Sequence, residues 1–283
     1  MRDPREGLTR AGTIRTGAAL ERVPSRFGPV LDAAVDLVRD RAPDATVYIY
    51  GSVATDQATI GASDVDLLTI GLADREARGI EDALSEQFAA ICRGVEVAAA
   101  AATDFVGEGD ESYGNRVFLR HYCVLLAGSD AQRPEQDFAG DRRAARGFNG
   151  DIERHARRWR SSLASLGWDD VATGVADVAQ RVGRKSLLAV AGLVSMHDRT
   201  WTTDRETSAH RWAEIAHDQS AGLEQLLSWS STVPDREIAV VTTDDVAEVL
   251  DSTVEPIIEA FRDLIGLWPD SSMGGKRLDA TPG

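Results

Sequence analysis

Two aspartates separated by a single residue, Asp64 and Asp66, open an apolar stretch of the chain and are the first residues whose spacing could do chemistry. In an extended strand, residues i and i+2 point to the same face, so both carboxylates would project side by side. Carboxylates held this closely repel each other unless a positive charge lies between them. Hard divalent cations such as Mg²⁺ take oxygen ligands of this kind and commonly share them with substrate phosphates. The pair therefore predicts a magnesium site that faces a phosphorylated substrate.

A Gly-Ser pair and a third acid accompany the two aspartates. Gly51 and Ser52 follow the β-branched and aromatic residues 46–50. Gly51 permits close approach of the backbone, and Ser52 adds a hydroxyl and an N–H for phosphate oxygens. Glu96 stands between two valines, and an acid within a buried strand is costly without a purpose. If the three strands are neighbours, Glu96 faces the same pocket as the aspartates. The alternative is an edge-strand acid that faces water.

The spacing of the apolar residues predicts the helices and strands that position these side chains. The first half alternates between predicted helices and strands: a helix over 25–41, strands over 46–50 and 65–70, a helix over 75–92, and strands over 95–101 and about 122–126. A polar connector over 128–150 precedes a purely helical half, with helices over 152–166, 171–196, 205–216, 222–229 and 246–267.

We therefore predict an α+β protein of two domains. The predicted parts are a flexible lead-in over 1–24, an N-terminal domain over 25–145, an all-α helical bundle domain over 146–270 and a disordered tail over 271–283. The predicted active site lies in the cleft between the two domains, because such clefts are common ligand sites.

The charge balance narrows the choice of partners. The 283 residues include 31 basic and 46 acidic side chains, for a formal charge of −15. This field repels phosphate backbones and attracts cationic small molecules, so the charge disfavours nucleic acid as a partner. The best local exception is the arginine-rich run over 154–160, whose alternative interpretation is a solvated helix face.

The cellular compartment is predicted from the cysteine content and from the lack of secretion and membrane-spanning signals. The two cysteines, Cys92 and Cys123, have no metal-type spacing, which is typical of a reducing compartment. No stretch resembles a signal peptide or approaches membrane-spanning length. The expected location is the cytoplasm, with no membrane contact.

The run GSVATDQATIGASDVDLLTI, over residues 51–70, resembles the signature of the DNA polymerase beta superfamily of nucleotidyltransferases. That signature is an apolar residue, Gly, then Ser or Gly, a spacer of about ten residues, and two acids that alternate with apolar residues. The resemblance implies a small mixed sheet with helices on one side. It also implies metal ligation by Asp64 and Asp66, triphosphate contacts from Ser52 and Ser63, and a third carboxylate at a position that Glu96 can fill.

The helical half resembles the aminoglycoside adenylyltransferases, particularly the type that modifies streptomycin and spectinomycin. The similar segments are RKSLL over 184–188, MHDRTWTTD over 196–204 and AHRWA over 209–213. The resemblance implies that Arg184 or Lys185, together with Arg199, binds the triphosphate. It also implies that Glu96 acts as the general base on the acceptor hydroxyl. The alternative for Arg184, Lys185 and Arg199 is a set of snorkelling side chains on amphipathic helices.

The predicted reaction is the Mg²⁺-dependent transfer of AMP from ATP to a hydroxyl of a small, cationic acceptor such as an aminoglycoside. The metal site would hold one ion or two. One alternative is a toxin-like or regulatory transferase that acts on transfer RNA or protein. Another is a non-catalytic member that senses nucleotide or binds a partner chain. The sequence leaves the oligomeric state open.

Overall fold

A computed structural model of the protein describes residues 3–165, 171–230 and 241–269. The chain divides into two compact units between Ala139 and Gly140, rather than between residues 145 and 146 as the sequence predicts. The first unit mixes strands and helices, and the described part of the second unit contains helices alone. The predicted α+β class is confirmed. The predicted tail over 271–283 lies outside the described residues.

A four-stranded mixed sheet forms the centre of the first unit. The strands of this unit are β1 (Gly7–Leu8), β2 (Ile14–Arg15), β3 (Thr46–Tyr50), β4 (Val65–Ile70), β5 (Val95–Ala100) and β6 (Val124–Ala127). The order in the sheet is β5-β4-β3-β6, with β4 parallel to β5 and β3 antiparallel to both β4 and β6. Strands β3, β4 and β5 are therefore neighbours, which is the condition under which the sequence places Glu96 at the same pocket as the aspartates.

The two faces of this sheet have different roles. The helices of the unit are α1 (Gly28–Arg41), α2 (Gly51–Ala54), α3 (Asp74–Gln87) and α4 (Asp110–His121). Alternate strand residues such as Ile49 and Leu67 join residues of α1 and α3 in one hydrophobic core. Because successive side chains of a strand point to opposite faces, Tyr50 and Asp66 lie on the other face of the sheet. There the ring of Tyr50 meets Phe118 of α4 edge-on, with centroids 5.0 Å apart. The expectation of helices on one side only is thus incomplete.

Residues 3–24, predicted to be a flexible lead-in, contain the antiparallel hairpin of β1 and β2. The backbone N–H of Ile14 donates to the carbonyl of Phe138 at 2.8 Å, and the N–H of Ala19 donates to the carbonyl of Ala54 at 3.0 Å. Ile14 is also buried. These hydrogen bonds tie the segment to the unit, and apolar periodicity could not reveal them because they are made by backbone groups.

The second unit is built from α5 (Arg142–Asn149), α6 (Ile152–Ser165), α7 (Val171–His197), α8 (Arg205–Ile215), α9 (Ser220–Ser230), α10 (Thr243–Val249) and α11 (Glu255–Leu264). Helix α5 falls within the predicted connector. Its side of small residues is buried, including Ala144 and Ala145, and Asp141 caps its first turn by accepting from the N–H of Ala144. The helix predicted over 246–267 is instead two helices joined by a π turn at Leu250–Val254. None of the helices in the described ranges has the length and apolar character needed to cross a bilayer.

Candidate active site

Asp66 occupies the centre of the candidate site in the first unit. It lies opposite Tyr50 in the antiparallel pairing of β3 with β4, and opposite Glu96 in the parallel pairing of β4 with β5. Asp66 is 1% exposed, whereas Glu96 is half-buried. Directly opposed residues on neighbouring strands have side chains within contact reach. The sheet register therefore brings together the two carboxylates that the sequence assigns to one site.

Gly51 shapes the turn that faces Asp66. Its φ of 73° lies in the left-handed region, which side chains other than that of glycine rarely adopt. A Cβ at this position would lie 2.2 Å from Oδ2 of Asp66, closer than any real contact. Glycine is thus required twice, for the backbone conformation and for the close approach of the carboxylate.

The pKa of Tyr50 shows that this face of the sheet carries negative charge. Burial raises the pKa of its phenol well above the ordinary value, and the carboxylates of Asp66 and Glu96 raise that pKa further. Tyr50 therefore stays neutral at physiological pH. Both carboxylates therefore act on the same phenol, so their negative charges lie on the face of the sheet that Tyr50 occupies.

Asp64 has a partner that the sequence reasoning missed. It lies one residue before β4, is 8% exposed, and accepts hydrogen bonds from the guanidinium of Arg93 on both carboxylate oxygens. The Nε of Arg93 lies 2.9 Å from Oδ1, and a terminal nitrogen bonds Oδ2. The positions of Asp64 and Arg93 in the sequence could have predicted this ion pair. Parallel strands bring their starting ends together, and Asp64 and Arg93 each come just before one of two parallel strands.

The three predicted metal ligands are not preassembled around one point. Within the described ranges, no group of three or more His, Cys, Asp or Glu side chains is arranged to hold a metal ion. Asp66 and Glu96 are adjacent in register, whereas Asp64 is bonded to Arg93. Their oxygen donors match the preference of Mg²⁺ for carboxylates. A site shared by Asp64, Asp66 and Glu96 stays a prediction.

The two predicted serine contacts lie in the connection between β3 and β4. Ser52 is half-buried in the single turn of α2, and its carbonyl accepts from the N–H of Gln57 at 2.8 Å. The hydroxyl of Ser63 accepts from the backbone N–H of Thr59 at 2.9 Å. Ser63 thus closes a turn of the connecting loop. Triphosphate binding by either serine is still a prediction.

In the second unit, Lys185 belongs to a buried polar cluster. Its side chain is 12% exposed, and its ammonium forms an ion pair with Oδ1 of Asp151 at 2.9 Å and donates to Oδ1 of Asn149 at 3.1 Å and to the carbonyl of Phe148 at 3.2 Å. The other oxygen of Asp151 lies 3.1 Å from Nε2 of His155. These contacts give Lys185 a structural role beside the predicted phosphate contact.

The other two residues predicted to bind the triphosphate, Arg184 and Arg199, differ in burial. Arg184, next to Lys185 on α7, is half-buried, and its Nε is buried without a hydrogen-bond partner among the described residues. Arg199 is exposed in the turn that follows α7, with a left-handed φ of 54°. Their contacts with a triphosphate stay predictions.

The arginine-rich run over 154–160 makes ion pairs within its own unit. Arg157 pairs with Glu153 at 2.9 Å, and Arg160 pairs with Asp251 at 2.7 Å and with Glu255 at 3.3 Å. Charges that are already compensated contribute little to binding a phosphate backbone. The ion pairs of Arg157 and Arg160 are of the kind found on a solvated helix face.

Comparison with known proteins first defines the class. Residues 31–107 match the family model of the nucleotidyltransferase domain. The matched segment includes the Gly51 turn, both aspartates and Glu96. The first unit therefore contains a nucleotidyltransferase domain, and the chain is an enzyme of this class.

The fold is similar to that of a particular crystal structure, the spectinomycin adenyltransferase AAD(9) from Enterococcus faecialis with ATP and spectinomycin. The TM-score is 0.51 at 9% sequence identity, and the match covers 83% of this chain and 99% of that chain. No curated protein sequence matches the chain. The predicted likeness in fold to the DNA polymerase beta superfamily and to aminoglycoside adenylyltransferases is confirmed.

Proposed function

We propose that the protein transfers AMP from ATP to a hydroxyl of a small, cationic acceptor such as an aminoglycoside. The observation that carries the proposal is the register of Asp66 with Glu96 beside the left-handed turn at Gly51, within the nucleotidyltransferase segment. The structural neighbour, which was crystallised with ATP and spectinomycin, supports the choice of donor and acceptor.

In this proposal, Asp64, Asp66 and Glu96 would hold Mg²⁺ through their carboxylate oxygens. The bound metal would neutralise charge at the alpha phosphate and orient the pyrophosphate leaving group. Gly51 lets the backbone approach the phosphates closely, and Ser52 and Ser63 supply hydroxyl groups to them. Arg184, Lys185 and Arg199 are the proposed cationic contacts from the helical unit.

Glu96 has a second proposed task. As the acceptor oxygen bonds to the alpha phosphorus, its hydroxyl proton must leave, and a carboxylate within hydrogen-bond reach is a suitable base. Glu96 is more exposed than Asp66, so it is the acid that an acceptor can approach.

A cationic acceptor is supported by the charge of the chain. The formal charge of −15 attracts cations and disfavours an RNA backbone. We also propose that the enzyme works in the cytoplasm and has a role in antibiotic resistance. The free thiols of Cys92 and Cys123 fit a reducing compartment.

The test is pyrophosphate release by the purified protein with ATP and Mg²⁺ across a panel of aminoglycosides and aminocyclitols. Asp66→Asn removes one metal-binding charge, and Asp36→Asn, at an exposed position of α1, is the matched control. Release that depends on one drug class, and is lost only with Asp66→Asn, supports the proposal. Release with transfer RNA or a protein instead of any drug would overturn the proposed acceptor.

A further inference from the structure

The contact between Asp64 and Arg93 places a resident cation on a predicted metal ligand. The guanidinium donates from Nε to Oδ1 and from a terminal nitrogen to Oδ2, so each carboxylate oxygen accepts one hydrogen bond. A fork of this kind fixes the plane of the carboxylate as well as its charge. Arg93 thus supplies at Asp64 the positive charge that two adjacent acids require.

The backbone holds the two residues next to each other. The N–H of Arg93 donates to the carbonyl of Ser63 at 3.1 Å, and the N–H of Val65 donates to the carbonyl of Gly94 at 3.0 Å. Asp64 therefore lies between two backbone bonds to the segment that carries Arg93. The Arg93 side chain, by contrast, is 30% exposed, so it can swing into solvent while the strands stay paired.

The same oxygens cannot serve both cations well. A divalent ion on Asp64 would lie within a few ångströms of the guanidinium, and the repulsion between two positive charges is strong at a partly buried site. Asp64 must therefore reduce its contact with one cation when it accepts the other.

We propose that Arg93 is a positioning residue that holds Asp64 in the metal-free enzyme and releases it when Mg²⁺ and nucleotide bind. This inference rests on the proposed function, because it takes Asp64 to be a metal ligand. Arg93 competes with the metal, and it keeps the acidic site neutralised until substrate arrives.

The experiment measures Mg²⁺ binding without nucleotide, by calorimetry and by the metal-dependent shift in melting temperature. Arg93→Gln removes the competing cation, and Arg78→Gln, at an exposed position of α3, is the matched control. We expect Arg93→Gln to melt at a lower temperature than wild type without metal. We expect it to bind Mg²⁺ about tenfold more tightly, because the repulsion between the guanidinium and the metal ion is removed.

A second variant keeps the inference testable if Arg93→Gln fails to fold. Arg93→Lys retains the charge but loses the fork, so its Mg²⁺ affinity should lie between those of wild type and Arg93→Gln. Affinity that is unchanged or weaker in the folded Arg93 variants would overturn the inference.

The two proposals can fail separately. If MgATP binds wild type but not Asp66→Asn, while the Arg93 variants match wild type, the competition is wrong and the proposed function is retained. If the Arg93 variants bind Mg²⁺ more tightly but no acceptor is adenylylated, the competition is right and the proposed acceptor is wrong.

Discussion

At the scale of single residues, Gly51 and Asp66 share a space that has no room for another carbon. The missing Cβ of Gly51 would overlap Oδ2 of Asp66, and the φ of 73° excludes most other residues on conformational grounds. The carboxylate is thereby held against the backbone of the turn. This arrangement gives the glycine at position 51 a physical reason that does not depend on any bound substrate.

Gly51→Ala should lower the free energy of unfolding of the first unit by about 1–2 kcal/mol for the backbone strain alone, and it should displace Asp66. Gly79→Ala is the control, because Gly79 is exposed in α3 and a Cβ there meets nothing within 4 Å. That control should stabilise by about 0.5–1 kcal/mol. Urea denaturation of both variants measures the difference, and equal midpoints would contradict the argument.

Glu96→Gln should separate the two tasks assigned to Glu96. If Glu96 is the general base, kcat should fall by about 10²- to 10⁴-fold while MgATP still raises the melting temperature. Steady-state rates and thermal shift give the two readouts. Glu86→Gln, an exposed residue of α3, should change neither. Loss of MgATP binding in Glu96→Gln would instead assign Glu96 to the metal alone.

At the scale of elements, Lys185 of α7 joins the end of α5 to the start of α6. It contacts Phe148 and Asn149 at the end of α5, and Asp151 just before α6. The amide of Asn149 in turn donates to the carbonyl of Leu188 on α7 at 3.0 Å. Three helices are therefore linked through one buried charge pair, which costs stability if either partner is removed.

Lys185→Met should destabilise the second unit by about 3–5 kcal/mol, because the buried carboxylate of Asp151 loses the ammonium that pairs with it at 2.9 Å. The double variant Lys185→Met with Asp151→Asn should recover most of this loss, since the amide carries no charge. Chemical denaturation of the three proteins measures both effects. A stable Lys185→Met with a raised KM for ATP would instead favour the predicted phosphate contact.

His121 connects the end of α4 to the following segment. Its Nε2 accepts a hydrogen bond from the N–H of Phe138 at 2.9 Å, which requires a neutral ring. Burial lowers the pKa of His121 from 6.5 to about 4, and it outweighs the opposing effect of Asp137. The unfolded chain therefore binds the proton first, so the stability from the neutral ring is complete above pH 6.5 and is lost towards about pH 4.

The first unit should therefore lose stability between about pH 6.5 and pH 4 in part through His121. His121→Gln keeps an acceptor for the N–H of Phe138 but cannot take up a proton there. The measurement is the melting temperature against pH for both proteins. The wild type should fall more steeply than the variant in this range, and parallel curves would show that His121 does not titrate as proposed.

The elements also show what sequence patterns can predict. The strands over 46–50 and 65–70 were predicted with their observed bounds, since β-branched and apolar runs between polar loops leave little ambiguity. Helix α5 was not predicted because its buried side consists mainly of alanine and glycine, and the arginines between them leave no pattern of large apolar residues. Arg93 was missed because its partner is set by strand pairing, which brings together residues far apart in the chain.

At the scale of the whole molecule, the chain carries a formal charge of −15. A large net charge produces a field that reaches beyond individual contacts and raises the local concentration of oppositely charged ligands. Salt shortens the reach of this field, from about 30 Å at 0.01 M to about 10 Å at 0.1 M ionic strength. The proposed cationic acceptor and the anionic MgATP should therefore respond to salt in opposite ways.

Raising the ionic strength from about 0.01 M to about 0.1 M should increase the KM of a cationic aminoglycoside, because screening removes the long-range attraction. The KM of MgATP should stay constant or fall, since the same screening reduces its repulsion. Steady-state kinetics at fixed Mg²⁺ would measure both constants, with an uncharged alcohol acceptor as the control for general salt effects. If the aminoglycoside KM does not change with salt, binding is governed by local contacts alone, and the net charge no longer supports a cationic acceptor.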